Sequence, residues 1–508
     1  MFKSRFLTQK SCSYHIWTQP TGHNTSINIY NCVTRKIEPL IVKNKNAVTW
    51  YTCGPTVYDS SHIGHASCYV KLDIIQRILK NHFGLNLVTC MNITDVDDKI
   101  IKRAIELKVD YKEVSKQYEK EFWKDLGDLN IPQPDVVVRV TENMPLIIDF
   151  IKKLEEEGYA YKTTDNSVYF DSSRSCHSPG RLQNINEIVL VPSNPHKLAP
   201  ADFALWKSLK NQNEPFFDSP WGKGRPGWHI ECSTLASHIF GSNIDIHAGG
   251  LDLRFPHHEN EEIQSCAFHD NHQWVNYWLH TGQLHLKHST KMSKSLKNTI
   301  SIQDMLKDVE PDVFRLTCVM NQYSSPMEYH AELLDTAKNV LKCYKIFLVA
   351  CREVKQGFIR PVLNNDVLCE LLMRSVKEIH EAFCDNFNTP RVIQILNHIV
   401  SKMNCMINSA ANYQTKTTDN VYYLVAIENL VLDTLNTFGL DFDEAKKLQS
   451  EDSTEFINLL VHFRQEVRNL GLQDRNKDLL KLCDNLRDDL KKAGLSIRDH
   501  EKLSSWSR

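Results

Sequence analysis

A glycine-bearing loop between a strand and a helix constrains this chain more than any other feature. Residues 47–53, Ala-Val-Thr-Trp-Tyr-Thr-Cys, form a buried-strand pattern that Gly54-Pro55 breaks. After His62-Ile63-Gly64-His65 a helical period sets in, carried by Val70, Ile74, Ile75, Ile78 and Leu79, and it stops near Gly84. Leu85, Leu87 and Val88 then read as a further strand. Strand, loop, helix and strand make the unit of a parallel sheet. Open sheets of this kind bind ligands outside the carboxyl ends of their strands. The loop is therefore an expected anion site. Gly64 admits close backbone approach, the helix start offers free N–H groups and the positive end of its dipole, and His62 and His65 can donate to phosphate oxygens. Alone, the four residues are also compatible with an ordinary polar loop.

A second short signature, Lys291-Met292-Ser293-Lys294-Ser295, lies far downstream. Lysine suits a migrating polyphosphate because its charge is compact and rotatable, and a loop can close on a nucleotide and reopen when pyrophosphate leaves. Lys294 is the expected main contact, with Lys291 and Ser293 assisting. In this order the two signatures resemble the halves of a class I aminoacyl-tRNA synthetase active site, in which a carboxylate attacks the α-phosphate of ATP.

At 508 residues the chain is long enough for several domains. A net charge of −2 excludes a basic field over the whole molecule, so RNA contacts must be local. Arg464, Arg468, Arg475, Lys477, Lys481, Arg487, Lys491, Lys492 and Arg498 offer one basic stretch, although interleaved acids also suit a solvated helix face. No apolar run approaches membrane-spanning length. The 15 cysteines are scattered, without a CxxC pair, which points to a reducing compartment rather than a disulfide framework. Lys3, Arg5 and Lys10 precede the first acid, Glu38, and this acid-poor, Ser-containing start predicts import into the mitochondrial matrix.

Within Phe255-Pro256-His257-His258-Glu259-Asn260-Glu261, Pro256 can open a helix, and His257 and Glu261, four apart, share one of its faces. They can chelate one cation, and two thiolates would complete a tetrahedral zinc site. Cys53 and Cys232 are thiolate candidates, but spacing cannot assemble residues so far apart, and on spacing alone both read as core. Periodicity does not choose between His257 and His258.

From about Ile27 to near its end the chain resembles the cysteinyl-tRNA synthetase family, in the compact form of bacteria and organelles. Beyond the segments above, the likeness includes 92–100 (Asn-Ile-Thr-Asp-Val-Asp-Asp-Lys-Ile), 201–207 (Ala-Asp-Phe-Ala-Leu-Trp-Lys), Ser219-Pro220-Trp221-Gly222 and Asp385-Asn386-Phe387-Asn388-Thr389-Pro390. The resemblance implies zinc on Cys53, Cys232, His257 and Glu261. It also implies bound cysteine at Gly54, Thr94, Trp228 and His257, and nucleotide at His62, Gly64, His65, His247, Ser293 and Lys294. Ala248 stands where the family usually has glycine. The implied architecture is α/β: a Rossmann-like parallel sheet with an insertion, then a helical bundle and a small anticodon-binding domain. The corresponding spans are an extension (1–26), the first half of the nucleotide fold (27–129), a connective insertion (130–225), the second half (226–285), the second signature with a stem-contact region (286–340), the bundle (341–450) and the terminal domain (451–508).

The implied activity is cysteine–tRNA ligation by a monomer, with L-cysteine, tRNA and ATP accompanied by magnesium as substrates. Zinc prefers sulfur to oxygen, which separates cysteine from serine without an editing domain. Lys99-Ile100-Ile101-Lys102-Arg103 resembles a lysine motif linked to pyridoxal-phosphate-dependent persulfide formation, and it reads equally as a basic helix start. Two rivals are a cysteine:amino-sugar ligase, disfavoured by the long segment after Ser295, and a catalytically silent RNA-binding paralogue, disfavoured by intact ATP and zinc residues.

Overall fold

The computed structural model describes residues 17–175, 180–183, 196–211, 214–286, 299–358, 361, 363–409, 421–442, 452–500 and 503–507. Five parallel strands organise the first half of the chain: β1 (Val48–Thr52), β2 (Leu87–Ile93), β3 (Val136–Arg139), β4 (Ile244–Gly250) and β5 (Val275–Thr281). They lie in the order β5-β4-β1-β2-β3, every pair parallel. All seven residues of β5 are buried, as are all but the last of β4. Such near-continuous burial follows from helices covering both faces of a parallel sheet.

Helix α1 (Ile63–Arg77) returns the chain from β1 to β2 and continues as one wider turn, Ile78–His82. The order reverses between β1 and β4, so the crevice outside their carboxyl ends is the topological switch point. Between β3 and β4 the insertion folds into a helix, Met144–Glu156, and a four-stranded antiparallel sheet. Trp206, Phe170 and Ile151 belong to its core, which is continuous with Ile230 and Leu235 of α2 (Trp228–Phe240) and with Ile263 of α3 (Glu259–His269).

Helices Ala331–Lys355, Asn365–Cys384, Thr389–Ser409 and Tyr422–Thr437 pack as a bundle. The turn at Asn386 anchors it to an antiparallel hairpin, His23–Asn31 with Lys36–Val42, since the Asn386 side-chain oxygen accepts the Tyr30 N–H at 3.0 Å; it also accepts the Tyr323 hydroxyl at 3.0 Å.

The chain divides into two compact units, Met1–Leu440 and Asp441–Arg508. The second holds helices Asp452–Gln473 and Lys477–Lys492 and a hairpin, Ser496–His500 with Leu503–Ser507. Gly494 follows the second helix at φ +86°, a conformation that suits glycine. Not all of the basic stretch there faces solvent. Arg464 is buried, donates to both carboxylate oxygens of Asp499 at 2.7 and 3.2 Å and to the Cys483 carbonyl at 2.9 Å. Its charge is used within the unit.

Candidate active site

The crevice encloses a cavity of about 350 Å³ between Gly54, Gly64 and His65 on one side and Gly250, Asp252 and Gln283 on another. His62 caps α1: its Nδ1 accepts the Gly64 N–H at 3.1 Å, and the His65 Nδ1 accepts the His62 N–H at 3.3 Å. The two imidazoles stack with centroids 3.9 Å apart. The loop residues therefore fix one another locally, which is why four consecutive positions carry so much signal.

Lys291, Ser293 and Lys294 lie outside the described residues. The described positions on either side of that segment reach the first signature and the cavity. The Ile63 N–H donates to the Ile300 carbonyl at 3.0 Å, the Ile302 N–H donates to the Ser61 carbonyl at 2.9 Å, and Leu284 lines the cavity.

Beneath the crevice four ligating side chains meet. Cys53 ends the turn from β1, Cys232 lies in the second turn of α2, and Glu261 opens α3. Pro256 does not open a regular α-helix. Arg254–His258 forms a wider turn before α3, and His257 still brings its Nε2 to 3.0 Å from a Glu261 oxygen. The Cys53 and Cys232 sulfurs are 3.7 Å apart, and Cys53 is 3.5 Å from Glu261. Donor atoms of Cys53, Cys232, His257 and Glu261 all lie within 4.8 Å of one another, and so do those of Cys53, His247, His258 and Glu261. The fold thus brings both histidines to the cluster, in overlapping sets.

Burial governs the electrostatics. It pushes the Cys53 thiol and the Glu261 carboxyl well above their usual values, and the His229, His247 and His258 imidazoles well below theirs. Burial also acts to raise Cys232, but the hydrogen bond with Cys53 and the adjacent His257 bring it down to about 7. One Glu261 oxygen has no hydrogen-bond partner although fully buried. Unsatisfied buried donors and acceptors are costly, and a cation supplies what they lack. The residues therefore fit a soft divalent metal, whose charge would reverse the burial effects on thiol and carboxyl.

The other expected contacts fall at different depths. Gly54 and Trp228 line the cavity, whereas Thr94 and His257 are buried behind it. Trp228 stacks on His257 at 4.1 Å between centroids. Thr94 donates to buried Glu231 at 2.9 Å. His247, expected at the nucleotide, is fully buried, 3.3 Å from the Cys53 sulfur and stacked on Trp278 at 4.3 Å. Ala248 is also fully buried within β4 and is not among the cavity-lining residues. Sequence reading missed Tyr58, Asp252 and Gln283, which line the cavity through turns that carry no periodic signal.

Comparison with known proteins gives a consistent picture. A family profile described as the class I (C) tRNA synthetase catalytic domain matches residues 40–339. A Xenopus tropicalis protein named "Probable cysteine--tRNA ligase, mitochondrial" is 38% identical, with 96% of this chain and 91% of that protein aligned. A Thermococcus gammatolerans protein named "Cysteine--tRNA ligase" is 38% identical over 95% of this chain and 99% of its own length. The Mycobacterium tuberculosis methionyl-tRNA synthetase, solved with methionyl-adenylate, superposes with a TM-score of 0.55 at 12% identity, covering 77% of this chain and 89% of that one. That last likeness concerns the fold alone.

Proposed function

The chain belongs to the cysteine–tRNA ligase family of class I synthetases, and from that premise we propose which residues perform the reaction. L-cysteine and ATP meet in the crevice at the switch point, and the cysteinyl group then passes to the 3′ end of its tRNA. The observation that carries this assignment is the adjacency of a buried Cys-Cys-His-Glu cluster to the His62–His65 loop across one cavity.

Cys53, Cys232, His257 and Glu261 hold zinc. The alternative set shares Cys53 and Glu261, but it contributes one thiol where the first contributes two, and Trp228, which lines the cavity, stacks on His257 of the first. When bound, zinc supplies a thiophilic Lewis acid. Gly54 and Thr94 hold the amino acid's backbone atoms, and Trp228 closes over them. His62, His65 and the helix start steady the phosphates as charge builds, and Lys291, Ser293 and Lys294 of the second signature add donors and positive charge. Magnesium accompanies the triphosphate. His247 supports the cluster from behind instead of touching nucleotide.

The bundle and the terminal unit hold the tRNA as a monomeric enzyme's docking surface. A relative named mitochondrial, together with the acid-poor composition before Glu38, supports a role in mitochondrial translation. Import of a fusion of residues 1–30 tests that assignment, and a cytosolic signal would remove it. Lys99 lines the cavity, with its ammonium 5.4 Å from the Tyr58 ring centroid. We assign it to the charge of the cleft; persulfide output that falls in Lys99→Ala/Lys102→Ala would instead assign it to a pyridoxal phosphate activity.

Two assays decide the main assignment. Cysteine-dependent ATP–pyrophosphate exchange separates an enzyme from a silent paralogue, and transfer of cysteine to tRNA separates a synthetase from an amino-sugar ligase.

A further inference from the structure

Asn92 lies in β2 with 1% exposure, and its side-chain amide meets three groups of the site. Its Oδ1 accepts the Gly54 N–H at 2.9 Å, and the Cys232 thiol donates to the same oxygen at 3.5 Å. Its Nδ2 donates to the Thr94 hydroxyl at 3.4 Å. The Gly54 N–H can only donate, so it fixes which end of the amide faces which neighbour. The main chain is equally close, since a Cβ at Gly54 would lie 1.6 Å from the Asn92 carbonyl oxygen. The circuit closes through Glu231, which accepts the Thr94 hydroxyl at 2.9 Å and immediately precedes Cys232 in α2.

With a metal bound Cys232 has no proton to donate, so the connection to it runs through Thr94 and Glu231, its neighbour in α2. One short side chain therefore ties both residues assigned to the substrate's backbone atoms to the helix turn that carries a metal ligand. This connection bears on a selection problem that sulfur affinity leaves unsolved. A thiophilic ion rejects serine, but homocysteine presents the same thiol on a chain longer by one methylene. Only the distance between the sulfur anchor and the amino-acid backbone site distinguishes the two. A methylene is worth roughly 10–200-fold in a shaped pocket, and that range requires both ends of the pocket to be held rigidly.

We propose that Asn92 is the positioning residue that fixes the span between the Cys53–Cys232–His257–Glu261 anchor and the Gly54–Thr94 backbone site, and so sets the preference for cysteine over homocysteine. The proposal rests on the zinc and cysteine assignments made under Proposed function. Asn92 acts through its neighbours and touches no reacting atom.

The test is calorimetric titration of the zinc-loaded full chain with cysteine and with homocysteine, without ATP. Asn92→Ala and Asn92→Asp are compared with the parent; the aspartate keeps an acceptor for Gly54 but loses the donor to Thr94. The expected result is about a tenfold fall in the cysteine-to-homocysteine affinity ratio, with zinc content and the cysteine-to-serine ratio in pyrophosphate exchange unchanged. An unchanged homocysteine ratio in both variants overturns the proposal. So does a joint loss of zinc, serine rejection and homocysteine rejection, which would make Asn92 a support of the metal site only. If the alanine variant does not fold, the aspartate variant decides. Failure of the underlying zinc assignment shows separately, as metal-stripped parent protein that still prefers cysteine to serine.

Discussion

Cys53 and Cys232 hold their sulfurs 3.7 Å apart across 179 positions of sequence. Burial raises the Cys53 thiol and the Glu261 carboxyl well above their usual values, while the Cys53 hydrogen bond and His257 bring Cys232 to about 7. Metal binding must displace their protons. Lower pH favours the protonated ligands, so zinc affinity is expected to rise between pH 6 and 8, by roughly tenfold or more per unit where at least one proton leaves. Competition with a chromogenic chelator measures it. Flat affinity over that range would show that the thiols are not the ligands.

Cys232→Ser is expected to lower bound zinc and to reduce cysteine-dependent pyrophosphate exchange by at least about 100-fold, the scale for a disturbed metal shell. Metal content and exchange are measured on the same preparation. Full exchange in a zinc-poor protein would separate catalysis from the cluster.

His62 and His65 stack at 3.9 Å at the start of α1. If they stabilise phosphate charge mainly as the bond forms, His62→Ala and His65→Ala should each lower kcat by about 100- to 1,000-fold, with a smaller change in the KM for ATP. A change confined to KM would make them ground-state contacts.

Gly54→Ala would drive its Cβ to 1.6 Å from the Asn92 carbonyl oxygen, a backbone atom. The strand end must shift, and a destabilisation of about 3 kcal/mol or more is expected. Denaturant unfolding reads this directly; a variant as stable as the parent would show that the approach of β1 to β2 is slack.

In the terminal unit, the Arg464 hydrogen bonds hold the Asp499 carboxyl at about 2, below the usual 3.8. A depressed carboxyl stabilises the folded state above its unfolded value, and the gain disappears as pH falls through the folded value. Arg464 and the carboxyl's other partners together should contribute at most about 2 kcal/mol at neutral pH, less where solvent screens them, lost between pH 4 and 2. Hydrogen exchange in helix Lys477–Lys492 of Arg464→Met should show faster opening at pH 7 and little difference from the parent at the acid end of the range. Equal protection at pH 7 would contradict the pairing.

The fold's first crossover is legible in residues 47–88 because its signals are local: an apolar strand, a Gly-Pro break and a helical period. The four putting their donors together at the cluster are not. Cys53, Cys232, His257 and Glu261 each have a second description as a core or helix-face residue, and family likeness, rather than spacing, selected them before the structure placed them within reach.

Sequence by itself thus determined the strand–loop–helix unit and the two nucleotide signatures, where the residues that cooperate are a few positions apart. Tertiary structure decided that His247 lies against the Cys53 sulfur, that Arg464 bonds Asp499 within its own unit, and that the Asn92 amide bonds both Gly54 and Thr94. Those outcomes depend on which strands become neighbours and which side of each faces inward. Contacts closed over tens to hundreds of residues leave no period in the chain from which to read them.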